Sequence, residues 1–400
     1  MKLALPFLEI DMTATYSSAP EVLRLETIRE MLRSPGPCIT ILQPPFRPGE
    51  PAGSPGAVLR SNIQEAARRL ARFSPGRALP VSEIADLLQP LERLAEDPAF
   101  VSGSRWGRAI FRSPKWFHQF HLTQPVPALL HVGGCFAIRP LALEFECPRV
   151  FYILALSKMG VSLLRCAGLQ AEVAPLPPGV PDTLAAALAL EPPDHDLENR
   201  SAVGRSTGTM HSIRFGTGSG REQQHGHLAD YYKMVDRGLH ELFGETAVPL
   251  ILAGVDEETA MYRAVSTYPH LVKNGIQGST DVLREQAGML QQSYSMMRTD
   301  SLERQAAALI AARERTKPSL FSTDPETILN AAFEGRVSQI YLHEGAEKLG
   351  VLEQGAYQSW GQEDLLNVAA VQTTIHQGKS CELPAEMMPD GLLAAALLRF

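Results

Sequence analysis

The chain has 400 residues, a net charge of -7 and 44% hydrophobic content, so it is too long for one core, and two or three domains are expected. The acidic balance excludes a protein held to nucleic acid by bulk charge alone. Five widely spaced cysteines without a Cys-x-x-Cys pair predict reduced, buried thiols in the cytoplasm and exclude a disulfide frame or a zinc site.

The amino-terminal run MKLALPFLEIDM is short and broken by Pro6, which predicts no signal peptide. The sequence lacks an apolar run long enough to span a bilayer, so no membrane partner is expected. Residues 22–34 have helical spacing. Cys38-Ile-Thr-Ile-Leu42 reads as a buried strand, followed by an exposed Pro- and Gly-rich loop. Two amphipathic helices come next. One spans 57–73, with Val58, Ile63, Ala67 and Leu70 near one face. The other spans 81–95, starts at Ser82 and is interrupted by Pro90, which is expected to kink or split it. Short strands follow in RAIFRS, KWFHQFHL, ALLHVG and CFAIRP, completing an α/β domain over residues 1–145.

A second domain is expected over 146–316. VFYILALS is a central strand, and the run from Gly160 is its hairpin partner. A helix is expected at 182–189, and residues 195–227 lack apolar periodicity. The helix 228–243 then places Leu228, Tyr232, Val235, Leu239 and Leu242 on one face. Val248–Ala253 is a buried strand, a helix follows at 256–267, and 280–315 reads as one long or broken helix. The third domain, 317–400, opens with Asp324-Pro-Glu-Thr capping a helix. Gly335 leads into a strand, 363–376 is helical, and the chain closes on LLAAALLRF. The fold class is therefore α/β in three domains. Basic side chains slightly outnumber acidic ones before residue 145, and acidic ones outnumber basic ones after 317, so the first third is the better candidate for facing RNA.

Three segments resemble the archaeo-eukaryotic class I release factors and Pelota. They are the loop–helix–strand from Met210 to Val255, the run Thr327–Leu342, and the ending Gly391–Phe400, where a glycine precedes an apolar run closing on Arg and an aromatic. The segment ILQPPFRPGEPAGSPGAVLRSNIQEAARRL is similar to the bacterial branch of that superfamily and not to its codon-reading domain. Asn62-Ile63 lies within an expected helix and is not a stop-codon motif. The resemblance implies a central release-factor-like α/β domain and a C-terminal L7Ae-like α/β/α sandwich. It also implies association with the ribosome or tRNA, in rescue, termination-like release or ribosome protection, with a translational GTPase as a further partner. No cofactor is expected.

In release factors the central tip carries Gly-Gly-Gln, whose glutamine and backbone amide assist water attack on peptidyl-tRNA. Here the corresponding glycine-rich loop, 215–227, reads Gly216-Thr-Gly218-Ser-Gly220-Arg221-Glu-Gln223-Gln224. Gly216, Gly218, Gly220, Arg221, Gln223 and Gln224 are thus the expected contact residues, with no catalytic residue among them. Two other readings stay open. One is an enzyme that grips a nucleotide or phosphate with the glycines, although the Walker lysine is missing. The other is a protein-interaction adaptor docking through the acidic last domain. His225 and His227 could join His211 or Asp230 on a metal, but paired loop histidines without a third fixed ligand are usually solvated. His118 and His121 fall on opposite faces of a strand. Trp106, Trp116 and Phe117, near Arg105, Arg108, Arg112 and Lys115, read as core and snorkelling residues rather than an RNA platform.

Overall fold

A computed structural model of the chain describes residues 25–33, 36–46, 53–72, 79–104, 106–190, 218–278, 286–354, 357–358 and 362–400. It is α/β and forms two compact units, Met1–Cys147 with Met297–Phe400, and Pro148–Met296.

Among the described residues the first unit holds two four-stranded sheets and two short two-stranded ribbons. The amino-terminal sheet is antiparallel, in the order Phe117–Leu122, Gly107–Arg112, Cys38–Gln43, Leu129–Gly133. Every residue of Cys38–Gln43 is buried. A strand apolar on both faces must be covered on both. Ile39 and Ile41 pack on helices Pro55–Ala71 and Val81–Glu96 through Leu59, Ile63, Leu87 and Leu91. Cys38 and Leu42 lie in a second cluster with Leu366, Val368 and Ala369 of the helix Leu365–Ile375. The amino-terminal sheet therefore borrows its second cover from the end of the chain. Periodicity marks a face as buried but does not say what buries it.

Two local expectations change. The first helix buries Leu59, Ile63, Ala66 and Leu70, not Val58 and Ala67. The helix Val81–Glu96 runs unbroken through Pro90. Proline has no N–H to give the carbonyl four residues back, and that carbonyl, Asp86 O, instead accepts from Arg112 Nη2 at 3.1 Å. Arg112 Nε also donates to Leu87 O at 2.8 Å. Arg108 is likewise held inside, donating to Phe100 O at 2.9 Å with its guanidinium 4.3 Å from the Phe100 ring centre.

The expected strand CFAIRP is not one. Its segment is irregular, ending in a 3₁₀ turn at Arg139–Leu141. Side chains take its amides in place of a strand partner: Gly134 N donates to Glu363 Oε1, Ala137 N to Thr40 Oγ1 and Ile138 N to Asn367 Oδ1, all within 3.0 Å. Buried Arg139 then donates to Asp364 Oδ2 (2.6 Å), Glu382 Oε1 (2.9 Å) and the carbonyls of His343 and Ala346. This seam fastens residues 134–139 to the carboxyl-terminal sheet.

That sheet runs Phe321–Ser322, Ala394–Leu398, Val337–His343, Lys379–Leu383, with the last pair parallel. Ile340 and Leu342 face helices Pro325–Phe333 and Leu365–Ile375. Tyr341 and Cys381 face the other way, onto Leu143, Leu302 and Leu309, the last two from the helix Gln286–Arg315. Helices cover both faces, an α/β/α arrangement. Asp324 caps its helix as expected, accepting from Thr327 N at 2.9 Å.

In the second unit five strands run Gln170–Ala174, Gly160–Ala167, Val150–Ser157, Leu250–Gly254, Ile276–Gln277. The last three are mutually parallel. Leu154, Leu156, Leu250 and Leu252 pack on Leu228, Tyr232, Val235 and Leu239 of the helix Gly218–Phe243. Leu242, expected on that stripe, is exposed, and Tyr231 and Phe243 are buried in its place. On the opposite face Phe151 meets Tyr294 edge-on, and the Tyr294 hydroxyl donates to Gly168 O at 2.6 Å.

Burial and the Arg108 charge push the His121 imidazole down to about 4. The unfolded chain then binds more protons than the folded one between about pH 4 and 6.5, so stability falls as pH falls through that window. His121→Gln is expected to remove up to one proton from the uptake on unfolding, read as a shallower pH dependence in urea titrations.

Candidate functional site

The expected tip lies in the second unit, and its position follows from the parallel strand pair. Val150–Ser157 and Leu250–Gly254 end at the same edge of the sheet. The helix Gly218–Phe243 precedes Leu250–Gly254 and packs along its face, so the helix amino terminus returns to that edge. Side chains confirm the placement. His225 Nε2 lies 3.5 Å from Glu257 Oε1, in the helix Asp256–Val265 that follows the strand. Lys158 Nζ, in the turn after Ser157, lies 3.1 Å from Glu257 Oε2. Carboxyl ends of parallel strands are where open α/β sheets meet their ligands. Exposed Met159 and Val255 add apolar surface there.

The loop expected over 215–227 is shorter than that. The helix begins at Gly218, ten residues before Leu228, where its buried stripe starts among the described residues. Gly218, Gly220, Arg221, Gln223 and Gln224 thus belong to a helix, while Gly216 and His211 lie outside the described residues. The expectation of a loop rested on missing apolar periodicity. Residues 218–227 carry no apolar period, and Arg, Glu and Gln favour the helix despite the glycines. Residues 225–227 are exposed. At 1.5 Å per residue the extension spans about 15 Å.

No group of three or more metal-ligating side chains forms among the described residues. Asp230 pairs with Lys233 at 2.9 Å. In the first unit His118 stacks on Phe120, and His121 lies 3.4 Å from Ser104 Oγ. The two histidines do not meet. Arg108 and Arg112 spend their guanidinium groups on backbone carbonyls, which fits the core reading of that cluster. Arg105 lies outside the described residues.

Sequence reasoning missed the group that fixes the helix. Asp236 is 4% exposed. Its carboxylate accepts from Tyr262 Oη (3.1 Å), Ser266 Oγ (2.6 Å), Thr267 N (2.9 Å) and Thr267 Oγ1 (3.1 Å). Burial and the nearby Asp236 charge push the Tyr262 hydroxyl well above its ordinary value, so it remains a donor. The signal was present: Asp236 interrupts the apolar stripe between Tyr232 and Leu239. A charged residue at a core position implies a dedicated set of partners.

Against this geometry the sequence was compared with known proteins. The model of bacterial archaeo-eukaryotic release factor family 3 matches residues 150–336. Over that segment the chain is similar to the bacterial archaeo-eukaryotic release factors. The matched segment includes the strand pair, the glycine-rich run and the Asp236 hub. No curated protein matches the sequence. Among solved structures, the archaeal translation termination factor aRF1 is 12% identical, with 94% of this chain and 96% of that chain covered and a TM-score of 0.24. Archaeoglobus fulgidus Pelota is 11% identical, with 73% and 79% covered and a TM-score of 0.36. S. cerevisiae Dom34 is 10% identical, with 71% and 73% covered and a TM-score of 0.27. The functional reading draws on the family match and not on these superpositions.

Asp236→Ala leaves four donors without their acceptor. It is expected to cost about 3–5 kcal/mol, read as a lower midpoint in chemical denaturation. Asp236→Asn, which keeps one acceptor oxygen, should lose less.

Proposed function

We propose that this chain is a translation-associated factor that works on the ribosome or tRNA in the cytoplasm. Its work is rescue, termination-like release or protection of idle ribosomes, and it does not itself hydrolyse peptidyl-tRNA. The observation that carries this reading is the family match over 150–336, which spans the glycine-rich run and the strand edge from which it departs. Gly216, Gly218, Gly220, Arg221, Gln223 and Gln224 are the contact residues of this reading. The helical extension supports it, because it holds five of them beyond the buried stripe.

The tip sequence supports the absence of hydrolysis. Release chemistry needs a glutamine beside glycines that let the backbone approach the ester. Here Gly220 is followed by Arg221, and Gln223 stands three residues on. A helical backbone also commits amides to its own hydrogen bonds beyond the first turn. The same reading takes residues 317–400 as an L7Ae-like domain, in keeping with helices on both faces of its sheet, and takes a translational GTPase as a second partner.

Co-sedimentation with 70S ribosomes and subunits over a salt series tests this. Binding should weaken as salt rises, and should weaken further when 216–224 is replaced by a short neutral linker. Absence of binding at low salt would leave shared fold without shared function. In a peptidyl-tRNA release assay the chain should give no release above background. Release that disappears in Gln223→Ala or Gln224→Ala would overturn the non-hydrolytic half of the proposal.

A further inference from the structure

The first unit contains a cavity of about 350 Å³ between residues 125–143 and 344–382. It belongs wholly to the first unit and plays no part in the function proposed above. Its apolar walls include Pro125, Pro127, Pro140 and Leu143. Four carboxylates line it, those of Glu344, Glu347, Asp364 and Glu382, against two guanidinium groups, Arg139 and Arg298.

The charges are unequally committed. Arg139 is taken up by Asp364 and Glu382. Arg298 Nη2 reaches Glu344 Oε1 only at 3.9 Å, and half of the Glu344 side chain is exposed. Glu347 is exposed as well. The balance across the cavity is two negative charges in excess. Arg139 is 5% exposed and its Nε is buried, so it offers an entering ligand no free donor. An excess of carboxylates disfavours an anion and suits a cation.

We infer that this cavity binds an organic cation, a primary amine or guanidine on an aliphatic stem, with its charge at Glu344 and Glu347 and its stem against the proline-lined wall. The volume is at the lower end of small-ligand sites, where apolar walls with a few placed polar groups are the rule. An aliphatic stem gains by leaving water while its charged end stays at the rim. A basic side chain of a peptide and a free diamine share the cation and the stem.

The test is titration of the full chain by calorimetry with Nα-acetyl-lysine amide, with putrescine and with inorganic phosphate. Both amines should bind and phosphate should not. A preference for the capped lysine points to a peptide source, and equal binding to a free amine. The double variant Glu344→Gln/Glu347→Gln removes exposed carboxylates only, and should bind about fivefold more weakly or worse. Arg298→Ala removes a competing cation and should bind more tightly. No heat with either amine, affinity unchanged in the double variant, or phosphate binding at the same site would each overturn the inference.

Discussion

The three larger sheets among the described residues have central strands that are apolar on both faces, and each must therefore be covered twice. Cys38–Gln43, Val150–Ser157, Leu250–Gly254 and Val337–His343 all carry buried side chains in both directions. Exposing either face would forfeit about 25 cal/mol for each Å² of apolar surface left in water. That requirement draws distant parts of the sequence together. The helix Leu365–Ile375 lies between the amino- and carboxyl-terminal sheets, with Leu366, Val368 and Ala369 in a core cluster that holds residues of both. The two segments form one compact unit, although 149 residues separate them in the chain.

Covering a sheet twice traps polar groups, and three of them have dedicated partners. Arg139 sits under the seam between the two larger sheets of the first unit, with two carboxylates and two carbonyls. Burial pushes the Glu382 carboxyl up, and the neighbouring Arg139 draws it back down. Arg112 supplies the donor that Pro90 cannot. In the second unit Asp236 collects one donor from the helix Asp256–Val265 and three from the turn after it. Groups of this kind add little net stability, but they are costly to break and they fix which surfaces meet.

Most helices and strands were legible because their apolar spacing is regular, and the Asp324 cap was legible because its chemistry is local. The errors share one origin: the deciding partner is remote in sequence. CFAIRP has the composition of a strand, yet Glu363, Asn367 and Thr40 hold its amides and no ladder is made. Leu242 fits the helical stripe by number, but Phe243 beside it is the residue that reaches Tyr152 and Tyr268. The candidate tip was legible as a place and not as a shape. Its glycines suggested a loop, and the helix there has no apolar period to reveal it. Asp236 and Arg139 were each visible as a charge inside an apolar stretch, a pattern that identifies a hub but not its partners.

The parallel strand pair, the helix fixed by Asp236 and the extension that starts at Gly218 together define one edge of the second unit, and the family match spans all three. That edge is where the account places contact with the translation machinery. Hydrogen exchange with mass-spectrometric detection, on the full chain alone and with 70S ribosomes, tests this most directly. Slowed exchange concentrated in residues 216–227 is the predicted result. Ribosome-dependent protection confined to other segments, or none at all, would contradict it.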